Sequence, residues 1–490
     1  MPARYLLHPT FVALKRTRIF RKGEELELTI ERYAFGGQGI ARVSTESGQF
    51  TVFVENTFPG QLVRARVVAC KARHATCALI DVVRRSPDEA DTGFQEIPGA
   101  PYARVPIDVQ RKFKEETVLE LFARIGGIED VEAVHAGWVA SPAVWHYRNK
   151  MEYSFGAIVH NPATGEKEDR FGLGFKRRGT WWAIENLDRD SGLFDQDVEE
   201  GLAEIRTWCE ATGLPPWHAP RREGFYRFLA VRKSRKTGGL LVNLVTTSHG
   251  IERFDLEGFT ALLRHLWGTR LEGLLHTIND DTGERVEARD GQRRLVTGRE
   301  HLEETLNGLT FHVQMPSFFQ TNPASAEMLY AEVVRAVQEG PKDGAVLDLF
   351  CGTGTIAQLI ARGTDAEVVG VELAETAIAD AEASAARNGL GRIRFHAADV
   401  GKFLDAHPEY AGRIACAVVD PPRAGIAPKT LQKVIALGAQ RIVYVSCNPA
   451  TQARDVAVLQ EAGYRLKHLK LVDQFPHTAH VETIAIFEPE

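Results

Sequence analysis

Ala345-Val-Leu-Asp-Leu-Phe-Cys-Gly-Thr-Gly354 is the stretch that decides the fold. Ala345–Phe350 reads as a buried strand, and Gly352-x-Gly354 turns the chain directly into a helix from Ile356 to Ala361. Open α/β sheets use this strand–turn–helix to bring backbone close to a cofactor. Downstream the pattern repeats. Strands are predicted at 345–350, 367–372, 392–397, 414–420 and 440–446, with amphipathic helices such as Glu375–Asn388 between them. Two further β-runs, 464–472 and 480–487, finish the chain. The pattern predicts a doubly wound, mostly parallel, Rossmann-like α/β sheet with a C-terminal hairpin.

Upstream the character changes. Residues 24–84 hold short runs (Glu25–Glu31, Gln49–Val54, Leu62–Cys70, Ala75–Val83) separated by turns at Gly36-Gly37, Glu46–Gly48 and Pro59-Gly60. About five short strands in this length predict an OB-like β-barrel, a fold that often binds RNA. Residues 1–85 carry a net charge of +7, against −10 for 86–341 and −3 for 342–490. A basic module on an acidic body points to phosphate at that end. Ser86–Pro101 reads as a polar linker. Asp108–Ile125 reads as a helix capped by Asp108, with apolar residues at 113, 118, 121, 122 and 125, and stopped by Gly126-Gly127. Residues 137–312 mix strands and helices as an α+β domain does. The expected domains are thus a barrel over 20–85, a central α+β domain over 86–315 and an α/β domain over 316–490.

Composition excludes several classes. With 490 residues and 44% hydrophobic content the chain has material for two to four domains. No apolar run of membrane-spanning length occurs. His8-Pro9 and Lys15-Arg16 interrupt any secretory core, although the basic, acid-free opening also fits a transit peptide. The expectation is a cytoplasmic, monomeric protein without a membrane partner. Six cysteines without a Cys-x-x-Cys pair make neither a disulfide scaffold nor a zinc ribbon.

The chemistry gathers at strand ends. Glu372 closes the strand after the glycine turn, 20 residues past Gly352, and can hold two ribose hydroxyls. Asp399, after the third strand, is placed for an adenine amino group. These features suit NAD as well as S-adenosylmethionine. Asp420-Pro-Pro-Arg423 ends one strand and Cys447 follows another, with Glu482 in the segment Asp473–Glu482. A cofactor loop, a carboxylate and a thiol are what alkylation of an electron-poor ring requires. C5 of uracil will not attack a methyl donor unaided. A low-pKa thiol adding to C6 creates nucleophilic density at C5, and a base must later remove the C5 proton. Cys447 is the candidate thiol and Glu482 the base, with His477 and His480 nearby. Asp420 can hydrogen-bond the uracil N3–H and O4 region, and Arg423 can meet a phosphate or the base. Met315-Pro-Ser-Phe-Phe-Gln-Thr-Asn-Pro323 adds an aromatic pair and an amide suited to gripping a flat base.

Taken together, Tyr147–Lys150, Phe318–Pro323, Leu347–Gly354, Val419–Gly425, Ser446–Pro449 and Phe475–Glu482 resemble the RNA uracil-5 methyltransferase family. The barrel resembles the TRAM module of many members. The resemblance implies S-adenosyl-L-methionine as cofactor and structured RNA, 23S rRNA or tRNA, as partner. It implies Cys447 as nucleophile, Glu482 as proton acceptor and Asp420 in support. Gln320, Phe350, Gly352, Gly354, Thr355, Glu372, Asp399 and Asp420 would line the cofactor. Phe318, Gln320, Asp420 and Arg423 would hold the flipped uracil, and the helix 108–125 would pack on the catalytic domain. Two departures stand out. Many members carry cluster-binding cysteines ahead of that helix and one later. Asp88–Val105 and Asn186–Ser191 have none, so no iron–sulfur cluster and no metal is expected. Position 355 is Thr where some members have Asn.

Three rival readings use parts of the same pattern. An NAD-dependent oxidoreductase would share the glycine turn but leave Cys447 and Glu482 without joint purpose. An amino-methyltransferase would need no thiol and would carry an aromatic residue where Arg423 stands. A non-catalytic RNA-binding factor would use the barrel alone.

Overall fold

The computed structural model describes residues 19–45, 48–161, 164–286 and 292–490. The basic opening, through residue 18, and residues 46 and 47 of one expected turn lie outside the described residues. The chain divides into two compact units, with the boundary between Pro87 and Asp88.

The first unit is a six-stranded sheet of Glu25–Thr29, Arg32–Ala34, Gln38–Thr45, Gly48–Glu55, Leu62–Cys70 and His74–Arg84. Period-two alternation builds its core: Phe50, Val52 and Val54 on one strand meet Val63, Ala65 and Val67, and Ala75, Cys77 and Leu79, on two others. The Glu31 N–H donates to the Ile40 carbonyl at 2.8 Å, so the chain leaving the first strand crosses to the third and curls the sheet. The strands at 32–34 and 38–45 escape a sequence reading because the glycines at 36, 37 and 39 look like one long turn.

Within the second unit, a seven-stranded mixed sheet is ordered Ile184–Asn186, Lys167–Lys176, Lys150–His160, Tyr226–Lys233, Leu240–Thr246, Leu271–Ile278 and Gln292–Gly298. Helices Leu202–Ala211 and Leu256–Trp267 cover one face through Ile205, Cys209, Phe259 and Leu263. Leu302 and Met315 cover the other, against Phe228, Leu241 and Leu275.

The expected linker is a packed strap. Ser86–Pro106 forms neither helix nor strand, yet Ile97, Ala100 and Ala103 lie in the same core as the sheet. Gln95 stitches it to the later segment. Its N–H donates to Asp190 O (2.9 Å) and its Nε2 to Asn186 O (2.7 Å), while Oε1 accepts from the N–H groups of Asp188 (3.0 Å) and Arg189 (3.1 Å). These are the two segments in which the resemblance would place cluster cysteines. Gln95 joins them through its backbone and its side chain, flanked by Phe94 with its ring 4.6 Å from that of Trp145.

The second sheet has eight strands, labelled β1–β8 in chain order: His135–Val139, Ala345–Leu349, Val368–Glu372, Ile393–Ala397, Ile414–Val419, Arg441–Ser446, Tyr464–Val472 and Glu482–Pro489. Their spatial order is β4-β3-β2-β5-β6-β8-β7-β1. β2 to β6 run parallel, and β8 runs antiparallel between β6 and β7. The sheet reverses its winding between β2 and β5, the crevice where such folds bind ligands. β1, contributed from ahead of the central sheet, extends the far edge in parallel with β7.

Helix α1 (Ile107–Arg124) packs on the helix that follows β6 through a face that shares only Val118 and Phe122 with the expected stripe. Its buried residues are Gln110, Lys114, Thr117, Val118, Leu119 and Phe122, and Ile125 is 46% exposed. Asp108 lies in the first turn, Pro106 holds the N-cap position, and no side chain caps the helix. The polar face matches its groove. Gln110 Nε2 donates to the carbonyls of Tyr102 (3.0 Å) and Val105 (2.7 Å). Lys114 Nζ donates to Asp473 Oδ1 at 3.1 Å and Arg111 Nε to Oδ2 at 2.9 Å, and the Asp473 side chain has no exposed surface. Burial pulls the Lys114 ammonium pKa below its usual value against the opposing pull of Asp473. No described helix is long and apolar enough to cross a membrane.

Breaking a buried pair by removing one partner costs about 3–5 kcal/mol, because the other charge is left without its counter-ion. Asp473→Asn should lose about that much stability in urea unfolding, because Lys114 is then buried without a carboxylate, and adding Lys114→Met should recover part of it. A single-variant loss below about 1 kcal/mol would show that the pair behaves like a solvated one.

Candidate active site

The carboxyl edge of the second sheet gathers the expected residues. Phe350 follows β2, Asp420 follows β5 and Cys447 follows β6, while Glu372 ends β3. Glu482 arrives from the opposite direction. Because β8 is antiparallel to β6, its first residues lie at the edge where β6 ends, and Ser446 pairs with Thr483. The register therefore sets Cys447 opposite Glu482. A cavity of about 370 Å³ is lined by Phe318, Gln320, Phe350, Gly352, Thr355, Asp420, Arg423, Cys447 and Glu482, all expected site residues. Asp348, Tyr330, Cys351 and Pro421 line it too. Gly354, Glu372 and Asp399 do not border it.

The turn after β2 is shaped for close approach. Phe350 has φ +67°, a left-handed conformation costly for an aromatic residue and typical of functional turns. Gly352 has φ +54°, and a Cβ there would meet nothing within 4 Å, which leaves its surroundings open to a ligand. Gly354 serves packing instead: a Cβ there would stand 2.5 Å from the Phe395 ring. Helix α2 (Thr355–Gly363) begins at once, its first N–H groups pointing at the cavity edge. The Glu372 carboxylate accepts from Gly352 N–H (3.2 Å) and Ala374 N–H (3.0 Å), fixing the turn while each oxygen keeps a further lone pair. Asp399 caps the helix Val400–Ala406 by accepting from Lys402 N–H at 3.0 Å.

Asp348 was not singled out by sequence, though a carboxylate inside an apolar strand is a signal. It has no exposed surface, its Oδ2 accepts from Ala357 N–H at 2.9 Å, and Oδ1 has no partner among the described residues. Burial, then Asp420, push its pKa up to about 8. An orphaned carboxylate oxygen, an open glycine and a strand-end acid fit a polar, positively charged nucleoside ligand. Among the described residues no group of three or more His, Cys, Asp or Glu side chains is placed to hold a metal ion.

The reactive trio corrects one expectation. Burial pushes the Cys447 thiol up to about 11, Glu482 and Asp420 push the same way, and Arg423 opposes them. The ligand-free site thus holds a protonated thiol, not the low-pKa thiolate anticipated. Its surroundings explain this: burial raises Asp420 to about 7, and burial followed by Asp420 raises Glu482 to about 8. Arg423 and the N-terminus of helix α3 (Pro449–Glu461), which starts two residues after Cys447, act in the opposite sense.

Second-layer contacts hold these groups still. Asn448 caps α3 and donates from Nδ2 to Arg423 O at 2.9 Å, tying the Cys447 and Asp420 loops together. Gln474 is fully buried; its Nε2 donates to Gln320 Oε1 at 3.2 Å and orients that amide in the cavity wall. Tyr147 OH donates to Pro476 O (2.9 Å), and Asn149 N–H to Thr321 O (2.8 Å). His477 does not line the cavity: its ring stacks on Trp145 at 3.7 Å and its backbone N–H donates to Gln110 Oε1 at 2.9 Å. It is a structural residue. His480 is exposed, beside the Phe475 ring.

The raised Glu482 pKa has a stability consequence. The folded state holds this proton more tightly than the unfolded chain, so the contribution is complete below the ordinary 4.5 and is lost as pH rises through about 8. Glu482→Gln should therefore be more stable than the parent at pH 8 by on the order of a few kcal/mol, with the gap closing toward pH 4.5 in thermal unfolding without ligands. A gap independent of pH would contradict the assignment.

Comparisons with known proteins agree with this geometry. The tRNA (uracil-5-)-methyltransferase family model matches residues 261–489, and the TRAM domain model matches residues 20–79. An uncharacterised RNA methyltransferase of Clostridium tetani is 36% identical over 470 residues, covering 95% of this chain and 97% of its own. Another, from Caldanaerobacter subterraneus subsp. tengcongensis, is 35% identical over 471 residues, covering 95% and 99%. Among solved structures, the Pyrococcus abyssi tRNA (uracil-54, C5)-methyltransferase in complex with S-adenosyl-L-homocysteine matches with a TM-score of 0.67 and 25% identity, over 94% of this chain and 100% of that one. The chain belongs to the RNA uracil-5 methyltransferase family, a family of S-adenosyl-L-methionine-dependent enzymes.

Proposed function

We propose that this member of the RNA uracil-5 methyltransferase family methylates C5 of a specific uridine in 23S rRNA through a transient bond between Cys447 Sγ and C6 of the ring. The observation that carries the reading is the β6–β8 register, which sets a thiol opposite a carboxylate at the mouth of the cofactor crevice. S-adenosyl-L-methionine, when bound, supplies an electrophilic methyl group on a sulfonium. Gln320, Phe350, Gly352, Thr355, Glu372, Asp399 and Asp420 are the residues proposed to hold it. Phe318, Gln320, Asp420 and Arg423 are proposed to hold the extruded uracil.

Cys447 Sγ loses its proton to solvent and attacks C6, and the C5=C6 electrons move toward O4 as an enolate. Asp420, held up to about 7, suits that oxygen: as the acid it accepts from N3–H and donates to O4, where charge develops. Once C5 has gained the methyl group it still carries its hydrogen. Glu482, ionised, removes that proton, C5=C6 re-forms and the C6–S bond breaks. Exchange of the proton back to sulfur closes the cycle.

A second reading has one observation behind it: the Pyrococcus abyssi neighbour acts on uracil-54 of tRNA. Mapping 5-methyluridine in 23S rRNA and tRNA from cells with and without the protein separates the two. The proposal expects one modified position lost from 23S rRNA, and lost equally with Cys447→Ala. A loss from tRNA would transfer the activity to that substrate, and no loss in either pool would refute the function. With Glu482→Gln, methyl transfer should proceed while elimination stalls, leaving a protein–RNA adduct on denaturing gels. Free methylated RNA appearing at the parental rate would remove Glu482 from the mechanism.

The +7 segment is proposed to meet RNA phosphates. Affinity for the mapped transcript should fall with salt, and deleting residues 1–87 should flatten the slope of log K against log salt. An unchanged slope would place the phosphate contacts elsewhere.

A further inference from the structure

A second cleft adjoins the catalytic cavity. It has a volume of about 240 Å³, too small for the whole cofactor and large enough for one base. Phe318, Phe319 and Thr353 line both spaces, so the wall between them is thin. Phe318 is 75% exposed, an unusual state for a phenylalanine and one that a stacking partner would relieve.

The far wall comes from the hairpin His301–Leu306 and Leu309–Gln314. His301 pairs with Gln314 and Glu303 with His312, so the two histidines are diagonal neighbours on the outward face. Their rings stack with centroids 4.1 Å apart and planes within 15°. Among the described residues neither imidazole has a side-chain hydrogen bond or ion pair, and His312 is exposed. Arg387 reaches the rim, Asp380 is the acid on the same lining, and Arg299 is close enough to act electrostatically on His312. The core-packed Phe311 and Val313 form the floor. Aromatic rings from two segments lining one cleft, with the Arg387 guanidinium on the same lining, are the elements by which proteins hold an unpaired nucleotide: stacking for the base, charge for the phosphate.

We propose that this cleft is a subsite for the nucleotide adjacent to the target uridine, its base stacked between Phe318 and the His301–His312 pair and its phosphate on Arg387. The proposal rests on the RNA-methylating reading, and it adds a strand-gripping site that shares the wall of Phe318, Phe319 and Thr353 with the catalytic cavity and is otherwise built from residues outside it. The adjacent base, once stacked, would hold the RNA strand splayed open while the uridine enters the catalytic cavity.

The test measures binding, so it does not depend on turnover. Affinity of a fluorescein-labelled short oligouridylate for the full chain is read by anisotropy with S-adenosyl-L-homocysteine present, and affinity for that nucleoside is read separately by calorimetry. His312→Ala and Arg387→Ala should each weaken oligouridylate binding roughly tenfold and leave S-adenosyl-L-homocysteine affinity within about twofold, while His312→Phe should restore binding by replacing the π-face. Unchanged oligouridylate affinity in both variants would overturn the proposal, as would a loss confined to S-adenosyl-L-homocysteine, which would assign the cleft to the cofactor. Should the protein form no 5-methyluridine, the catalytic reading fails while these affinities still report on the cleft.

Discussion

A carboxylate without exposed surface, Asp473, holds the catalytic end of this protein together. Its two oxygens are taken by Lys114 and Arg111 of α1, its N–H donates to Val139 of β1, and its carbonyl accepts from Ser325 Oγ at 3.4 Å. Three distant segments thus converge on the residue that starts the loop leading to Glu482. A buried ion pair is a poor source of net stability, but leaving one partner uncompensated is expensive, so few alternative arrangements of this loop are tolerable. Gln474, next in sequence, passes that order to Gln320, and Tyr147 holds Pro476. The base opposite Cys447 is positioned by contacts that begin far from the cavity.

Inside the cavity the electrostatics are unbalanced. Asp420 and Glu482 act on the thiol, Asp348 lines the same cavity, and Arg423 is the cation that acts on Cys447 and Glu482. Three carboxyl groups with pKa values near neutrality share protons rather than all ionising. A ligand bearing positive charge relieves this, lowering the pKa of each acid and of the thiol, whereas a neutral ligand of the same shape does not. Charge complementarity to a sulfonium is therefore a property of the empty cavity.

Much of this was legible in the sequence because strand ends carry the chemistry. The runs before Phe350, Asp420 and Cys447 are short, apolar and bounded by Gly or Pro, and each lies within about one residue of its predicted limits. What escaped was set by tertiary context. The α1 stripe was read only in part: Val118 and Phe122 are buried as expected, but the groove is polar, so Gln110, Lys114 and Thr117 are buried beside them while Ile125 is exposed. The strap Ser86–Pro106 has no periodicity to detect, since its order comes from Gln95 and from side chains buried in a distant core. β1 is five residues with a glycine in the middle, and only the exposed edge of β7 makes it a strand. The thiol pKa depends on burial and on two carboxylates brought in by other strands, which local sequence does not encode.

The covalent step is the claim on which the functional account turns, and trapping it is the most direct measurement. RNA containing 5-fluorouridine at the mapped position offers Glu482 no C5 proton to remove after methyl transfer, so the C6–S bond cannot break by the usual route. Intact-mass analysis of the full chain with this RNA and S-adenosyl-L-methionine should show a stable adduct carrying RNA and one added methyl group. Peptide mapping should place the attachment at Cys447. Methylated RNA without any protein-linked species, or an adduct on another residue, would contradict the account.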